Sequence, residues 1–485
     1  MQGNPSGHRS AVRSGALTAL STAAVSGSAA VAGALLSRKF GHGVKTDGFF
    51  AAYGVYVVVV LVASALRVVV LPQFARSRRA GTLAGDVGSW CLALALPIAP
   101  AILVALVEPG WIASGLTGGS QAERSATELL PWLVPAAAAQ VFAGICASAL
   151  AARDDYGTAA FGYASGAIAG VAVIVAFVDR GVAAFGWGLA VNGAVSLCVP
   201  LAVFLRREGL ARPLGGLGRR LRSLVEGVAL PFALQGLYLV AYRFASGLGA
   251  GRPTTFSYAY LIASLLVAVT ATSVALVSSV PLARELLTPA RAVRHVVSAT
   301  WVSLALVAGA AGVFALAGER VARIALGSHY GGGTGTELGR LVAYLAPWMA
   351  VSVALSVAFP LIFVRGGGRW LPLLAIAALG VHVLVEWAGR SLLGLAGIAA
   401  GMAVTTAAVL LVLLGGLGAV VAGLRGLLSA AAVLGLAALC CFGAPRLLLG
   451  PLPAAAVGLA LYVGALGLWR PTGLREAWAY LRQLE

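Results

Sequence analysis

Three ionisable residues recur at four-residue intervals in one apolar stretch of the sequence: His382, Glu386 and Arg390. Side chains at this spacing share one face of an α-helix. At membrane depth, a carboxylate beside an imidazole can bind Na⁺ or exchange a proton. The spacing therefore predicts an ion-coupling site at Glu386 and His382, and the alternative is an interfacial ion pair between Glu386 and Arg390 near the outer surface.

Uncharged polar and aromatic side chains form a second candidate set. Gln140, Asn192 and Gln235 fall near the centres of apolar stretches, and Tyr238 and Tyr242 follow Gln235 at i+3 and i+7. Amide and aromatic groups on a cavity wall suit hydrogen bonding and stacking with sugar rings, so we predict substrate-binding roles for these five residues. Hydrogen bonding between helices is the alternative.

Two arginines, Arg67 and Arg243, fall within predicted membrane helices, one in each predicted half of the protein. A charged group in the hydrocarbon layer is costly, which makes each a candidate for a functional site. A guanidinium group matches the geometry of phosphate, so we predict that both contact an anionic part of a substrate. The alternative is that their long side chains reach up to the headgroups from near a helix end.

The elements that must position these residues are membrane helices. The chain has 485 residues, of which 60% are hydrophobic and 10% charged, and its mean hydropathy is +0.95. A helix crosses the hydrocarbon layer in about 20 apolar residues. We predict an all-α polytopic protein with about fourteen transmembrane helices. These lie near 14–37, 48–71, 84–107, 129–151, 157–178, 183–205, 227–247, 254–280, 296–317, 340–364, 371–388, 392–415, 425–443 and 449–469.

The net charge of +18 is explained by topology rather than by nucleic-acid binding. Alternate loops carry unequal shares of the basic residues, and the side with both termini carries more. Basic residues concentrate on the cytoplasmic side, so we predict a multi-pass inner-membrane protein with both termini in the cytoplasm. The densest basic loop begins at Arg206 and is expected to bind anionic lipid headgroups.

Several functions lack the residues they require. The sequence contains no GxxxxGK[ST] motif for nucleotide binding, and its longest outer loops hold no carboxylate cluster for glycosyl chemistry. We therefore predict no enzymatic activity and no cofactor, with Na⁺ or H⁺ as the coupling ion.

The cysteines fall in apolar stretches without the spacing of a metal or disulfide site. They are Cys91, Cys146, Cys198, Cys440 and Cys441.

Two similar segments divide the predicted helices into halves. The glycine turn at Gly41 and the basic end at Arg76 have counterparts at Gly249 and Arg284, and both offsets are 208 (249 − 41 and 284 − 76). Six intervening helices make the repeat parallel, as in two-lobed transporters. Chance similarity in a sequence rich in Ala and Val is the alternative.

The predicted parts of the chain are a basic arm (1–13), an N-lobe (14–205), an Arg-rich linker (206–226), a C-lobe (227–415) and a C-terminal part (416–485).

These segments resemble a known family. Phe40–Tyr53 reads FGHGVKTDGFFAAY, which is similar to the FGxGxxTDAFFVAF opening of the MviN/MurJ-type lipid II flippases in the multidrug/oligosaccharidyl-lipid/polysaccharide exporter superfamily. Ala245–Leu248 and Tyr258–Ala259, with the run to Pro281–Arg284, follow the family's second pattern. The resemblance implies fourteen helices, two rocking lobes, a lipid-linked or amphipathic substrate, and a cation site around the seventh, eleventh and twelfth helices.

The sequence departs from this family at the arginines that its lipid II transporters carry. The corresponding positions here are Ser26, Ala32, Val60 and Leu261. A pyrophosphate group would therefore not be held by the family's cationic cluster.

We predict an alternating-access flippase or exporter of a lipid-linked glycan or a polyprenyl-phosphate-linked precursor of the cell envelope, acting as a monomer. The main alternative is a cation-coupled exporter of small amphipathic molecules. From other classes, the alternatives are a membrane glycosyltransferase or ligase and a scaffold without transport activity.

Overall fold

The computed structural model describes residues 5–282, 288–364 and 368–482, and all regular structure in these ranges is helical. This confirms the all-α prediction. The helices are α1 (Pro5–Phe40), α2 (Val44–Arg79), α3 (Leu83–Val107), α4 (Pro109–Thr117), α5 (Glu123–Ala151), α6 (Tyr156–Phe177), α7 (Ala183–Glu208), α8 (Leu217–Ser246), α9 (Arg252–Leu282), α10 (Pro289–Leu326), α11 (Gly333–Tyr344), α12 (Ala346–Val364), α13 (Leu371–Leu393), α14 (Leu395–Gly416), α15 (Val420–Leu448), α16 (Pro451–Trp469) and α17 (Thr472–Arg482). Short 3₁₀ helices cover Val178–Arg180, Ser328–Tyr330 and Gly368–Trp370.

Thirteen of the fourteen predicted transmembrane stretches each coincide with one helix of the structure, whereas 340–364 covers the end of α11 and the whole of α12. Within the described residues, 11 helices are long and apolar enough to cross a membrane, or 12 if α11 and α12 form one span with a bend of 40°. Helices α1 and α9 coincide with the two other predicted stretches and have 36 and 31 residues. The protein is therefore a multi-pass membrane protein.

The chain divides into two compact units, Met1–Leu239 and Val240–Glu485, and the division falls inside α8. The lobe boundaries inferred from the sequence remain a prediction.

The two turns of the predicted repeat, one in each unit, have similar local backbone geometry. Gly41 and Gly249 both have positive φ. In the first turn the Asp47 amide donates to Gly43 O, and in the second turn the Thr255 amide donates to Gly251 O. Arg284 lies outside the described residues.

Helix α5 forms the centre of the first unit because small residues let its neighbours approach closely. A Cβ on Gly193 of α7 would lie 2.7 Å from Ala136 O, and a Cβ on Gly144 would lie 3.1 Å from Ala63 Cβ of α2. Lipid is as apolar as the side chains, so close packing of this kind provides much of the association of membrane helices. It holds the central parts of α2, α5 and α7 against one another.

Ion pairs join the turn between α5 and α6 to neighbouring helix ends. Arg78 Nη1 lies 2.9 Å from Asp154 Oδ2, and Arg207 Nη1 lies 2.7 Å from Asp155 Oδ2. Asp155 also caps α6 by accepting from the Thr158 amide at 3.0 Å. Burial raises the pKa of the Asp155 carboxyl, but the hydrogen bonds from Thr158 and the charge of Arg207 outweigh burial and hold this pKa below its usual value.

We expect Asp155→Ala to lower the free energy of unfolding by about 1 kcal/mol at neutral pH, since it removes an N-cap and an ion-pair partner. A carboxyl with a depressed pKa stabilises the folded state above its unfolded pKa, which is about 3.9, and this contribution disappears as pH falls through the lower folded value. Thermal unfolding in detergent at pH 7 and at low pH should show the difference from wild type only at pH 7. Asp179→Asn, which alters an exposed pair with Lys39, is the control; equal effects of the two variants would contradict this account.

In the second unit, α10 packs against α15, α16 and α17. Trp301, Leu304, Ala430, Leu434 and Ala477 form a buried apolar cluster among α10, α15 and α17. On α16, the Tyr462 hydroxyl donates to Ala305 O of α10 at 3.0 Å. The helices that follow the predicted C-lobe are therefore an integral part of this unit.

Candidate functional site

The predicted ion-coupling residues lie together on α13, at its contact with α14 in the second unit. His382 and Glu386 are both fully buried, and His382 Nε2 lies 3.4 Å from Glu386 Oε1. The other ring nitrogen, Nδ1, lies 3.0 Å from Thr405 Oγ1 of α14. A hydroxyl on one ring nitrogen orients the imidazole and influences which nitrogen carries its proton. Thr405 was not among the residues predicted from the sequence.

The Glu386 carboxylate is poorly satisfied within the part of the chain that the structure describes. Both of its oxygens are buried there without a hydrogen-bond partner. Gly401 of α14 lies against the carboxylate, and a Cβ at that position would come within 2.7 Å of Oε1. Burying a charged carboxylate is unfavourable unless hydrogen bonds or an opposite charge compensate it, and the nearest such group in the described contacts is the His382 imidazole at 3.4 Å.

Arg390 does not pair with Glu386 in the described structure. Its Nη2 donates to Gly247 O, next to the end of α8, at 2.7 Å. The interfacial ion pair that we considered as an alternative is therefore absent from the described contacts. The coupling role of Glu386 and His382 remains a prediction, since this geometry shows their positions and not their function.

In the first unit, Gln140 of α5 and Asn192 of α7 meet in a small polar cluster with Ser196. Gln140 Nε2 donates to Asn192 Oδ1 and to Ser196 Oγ, both at 3.3 Å, and Ser196 Oγ donates to Asn192 Oδ1 at 3.2 Å. The side chains of Gln140 and Tyr56 of α2 are also hydrogen-bonded. Ser196 follows Asn192 by four residues, and this spacing could have revealed it.

An aromatic stack on α2 leads to this polar cluster. The rings of Phe49 and Tyr53 are stacked with centroids 5.3 Å apart, and those of Tyr53 and Tyr56 with centroids 5.7 Å apart. The spacing i, i+4, i+7 places all three on one helix face. These three residues were not among the predicted site residues, although their spacing in the sequence indicates a shared face.

The residues predicted on α8 have different surroundings. Gln235 is half-buried, whereas Tyr238 and Tyr242 are buried. Tyr238 packs on Gly54 of α2, where a Cβ would lie 2.8 Å from its Cε1 atom. Tyr238 is thus next to the aromatic stack, whereas Tyr242 belongs to the second unit.

Arg67 on α2 and Arg243 on α8 both have exposed side chains. The charge of Arg67 acts on Tyr163 of α6, which places this guanidinium near an aromatic residue of the first unit. Exposure of this kind agrees equally with contact to headgroups and with contact to a substrate phosphate. The predicted role of the two arginines as anion contacts therefore remains a prediction.

No protein-family model matches the sequence, and no curated protein matches it. Solved structures do match. The lipid II flippase MurJ in an inward closed conformation has a TM-score of 0.74 and 13% identity, over 94% of this chain and 99% of that chain. An inward-facing multidrug resistance transporter of the MATE family, from the MOP superfamily, has a TM-score of 0.63 and 14% identity, over 84% and 94%.

A MOP superfamily transporter from Pyrococcus furiosus, whose binding pocket is described as having reverse polarity, has a TM-score of 0.55 and 14% identity over 87% of this chain and 93% of that chain. Identities this low establish the architecture alone. The protein therefore has the fold that the lipid II flippase MurJ shares with transporters of the MOP superfamily.

Proposed function

We propose that this protein is a flippase that moves a lipid-linked glycan, or a related polyprenyl-phosphate-linked precursor, across the inner membrane by alternating access. The observation that carries the proposal is the extent of the structural match. Similarity to the lipid II flippase covers 94% of the chain, whereas similarity to the multidrug transporter covers 84%. The wider match supports a lipid-linked substrate over a small amphipathic one.

We further propose that the first unit contributes uncharged contacts to the sugar part of the substrate. Gln140, Asn192 and Ser196 present amide and hydroxyl groups, and Tyr53 and Tyr56 present ring faces. Such groups hydrogen-bond to sugar hydroxyls and stack on sugar rings. Because the family arginines are replaced at Ser26, Ala32, Val60 and Leu261, the contacts to phosphate are assigned to Arg67 and Arg243.

Transport of a bulky polar headgroup requires an energy source. The sequence has no nucleotide-binding motif, and the membrane potential supplies about 2.3 kcal/mol per charge per 100 mV. We propose that Glu386 and His382 bind the coupling H⁺ or Na⁺, with the Thr405 hydroxyl as a third ligand or orienting group. The buried carboxylate supports this assignment because it lacks a hydrogen-bond donor among the described residues.

The proposed setting is the inner membrane, with both termini in the cytoplasm, where the basic residues concentrate. The protein is proposed to act as a monomer in contact with membrane lipids, with no nucleic-acid partner and no enzymatic activity.

The proposal is tested with purified protein in proteoliposomes that contain either lipid II or a polyprenyl-diphosphate-linked oligosaccharide. A membrane-impermeant reagent that modifies the glycan reports how much substrate reaches the opposite leaflet. We expect one of these substrates to become accessible faster than in protein-free liposomes. If neither moves but a cationic fluorescent dye is exported along an ion gradient, the drug-exporter alternative replaces the flippase.

Arg67→Ala and Arg243→Ala are expected to reduce this transport at least tenfold, since each removes a proposed contact to the substrate phosphate. The measurement is the initial rate of glycan accessibility, normalised to the folded protein recovered by gel filtration. Arg124→Ala is a matched control, because Arg124 is exposed and pairs only with Glu128 at i+4 in the described structure. Unchanged transport in both test variants would show that these side chains reach the headgroups instead.

A further inference from the structure

A polar cavity lies where the Arg-rich segment between α7 and α8 folds back against the first unit. It has a volume of about 300 Å³, and we call it the linker pocket. Its lining residues are Gln73, Gly215, Gly216, Arg219, Arg220 and Ser223. The proposed flippase function makes no use of these residues.

The segment before α8 is held in place by specific contacts. The Leu214 amide donates to Gly85 O at 3.2 Å, and Ser89 Oγ donates to Leu214 O at 2.9 Å. Gly85 has no room for a side chain, since a Cβ there would lie 2.9 Å from Arg212 O. The wall of the linker pocket is therefore fixed against α3.

Arg220 is anchored but not fully satisfied. Its Nη2 lies 2.6 Å from Asp86 Oδ1, and its Nη1 donates to Leu214 O at 3.0 Å and also to Gly215 O. Its Nε is buried and has no hydrogen-bond partner among the described residues. The carboxylate of Asp86 is occupied by Arg220 and by Ser77, and it does not line the cavity. An acceptor atom in the pocket would satisfy the remaining donor.

Arg219 adds a second positive charge to the same cavity. Its side chain is exposed, and no acidic partner lies within ion-pair distance in the described parts of the chain. Ser223 adds a hydroxyl and Gln73 an amide. Two guanidinium groups with additional donors form the usual recognition chemistry of phosphate.

We propose that the linker pocket binds a phosphate group carried by a membrane lipid, held by Arg219 and Arg220 at the basic end of the first unit. The phosphate belongs either to the headgroup of an anionic phospholipid or to a prenyl phosphate. Gln73 follows Pro72 in the last turns of α2, whose final turn carries Arg76, Arg78 and Arg79. Basic helix ends of this kind lie at the level of the headgroups, where lipid phosphates are available.

The test uses wild-type protein in phosphatidylcholine nanodiscs, titrated at low ionic strength with inorganic phosphate, short-chain phosphatidylglycerol or farnesyl phosphate. Binding is followed by thermophoresis of fluorescently labelled protein, and farnesol serves as a probe that has the prenyl chain without phosphate. The test variant is Arg219→Gln. The matched control is Arg222→Gln, which removes the same charge from the same helix at a residue that pairs with Glu226 outside the pocket.

We expect Arg219→Gln to weaken binding of at least one phosphate probe tenfold or more, and Arg222→Gln to weaken it less than twofold. Selective binding of phosphatidylglycerol assigns the pocket to anionic phospholipid, and selective binding of farnesyl phosphate assigns it to prenyl phosphate. The proposal is overturned if none of the phosphate probes binds, if inorganic phosphate alone binds, if farnesol binds as tightly as farnesyl phosphate, or if the two variants lose affinity equally. None of these results depends on flippase activity.

Discussion

Glu386→Gln is expected to remove the dependence of transport on pH or on Na⁺ while leaving a folded protein that still binds its substrate. The amide has nearly the same shape as the carboxyl, so packing against Gly401 is retained. It cannot take up a proton at neutral pH or provide a charge for a cation. The measurement is the initial rate at which substrate becomes accessible in proteoliposomes, with and without an imposed gradient of each ion. The ratio of these two rates should fall at least tenfold in the variant.

A matched control is Glu337→Gln on α11, since Glu337 is a partly exposed carboxylate paired with Arg252. It makes the same chemical change outside the α13–α14 contact and should keep full ion dependence. Thr405→Val is a further test, because it removes the hydroxyl at 3.0 Å from His382 Nδ1 without a change of volume. Transport by Glu386→Gln that still responds fully to both gradients would disprove ion coupling at this pair.

The sequence alone indicated the pairing of His382 with Glu386, because both lie on one helix and the i+4 spacing determines their proximity. It could not indicate Thr405 or Gly401, which come from the next helix. Which residues of α14 face α13 depends on the rotation and crossing of two nearly uniform apolar helices. The same limit applies to Gln140, Asn192 and Ser196: the last two share a helix, but the alignment of α5 with α7 depends on tertiary packing.

Hydropathy was sufficient to locate the membrane helices, since each stretch of about 20 apolar residues has few other stable conformations in lipid. It was not sufficient to predict the interruption at Leu345, where α11 ends and α12 begins within a single apolar stretch. Tight contacts such as that of Gly227 with Val69 join the beginning of α8 to the first unit, and loop charges carry no information on such packing.

Gly397→Ala is expected to destabilise the second unit strongly, because α13 and α14 touch through their backbones at this point. A Cβ on Gly397 would overlap the carbonyl oxygen of Gly389, so the two helices would have to separate. Overpacking typically costs about 1–3 kcal/mol, and a clash with a backbone carbonyl belongs at or above the upper end of that range. The measurement is thermal unfolding of the purified protein in detergent, together with the yield of monodisperse protein.

Gly380→Ala is the matched control, since it makes the same change on α13 at a position where a Cβ meets no atom within 4 Å. Alanine is favoured over glycine in a helix by about 1 kcal/mol, so this variant should be neutral or more stable. Separation of α13 from α14 would also lengthen the contact between His382 and Thr405, and residual folded Gly397→Ala protein should therefore show altered ion dependence of transport. If Gly397→Ala unfolds at the same temperature as Gly380→Ala, the helices do not depend on this backbone contact, and the close approach that buries Glu386 must be maintained by other residues.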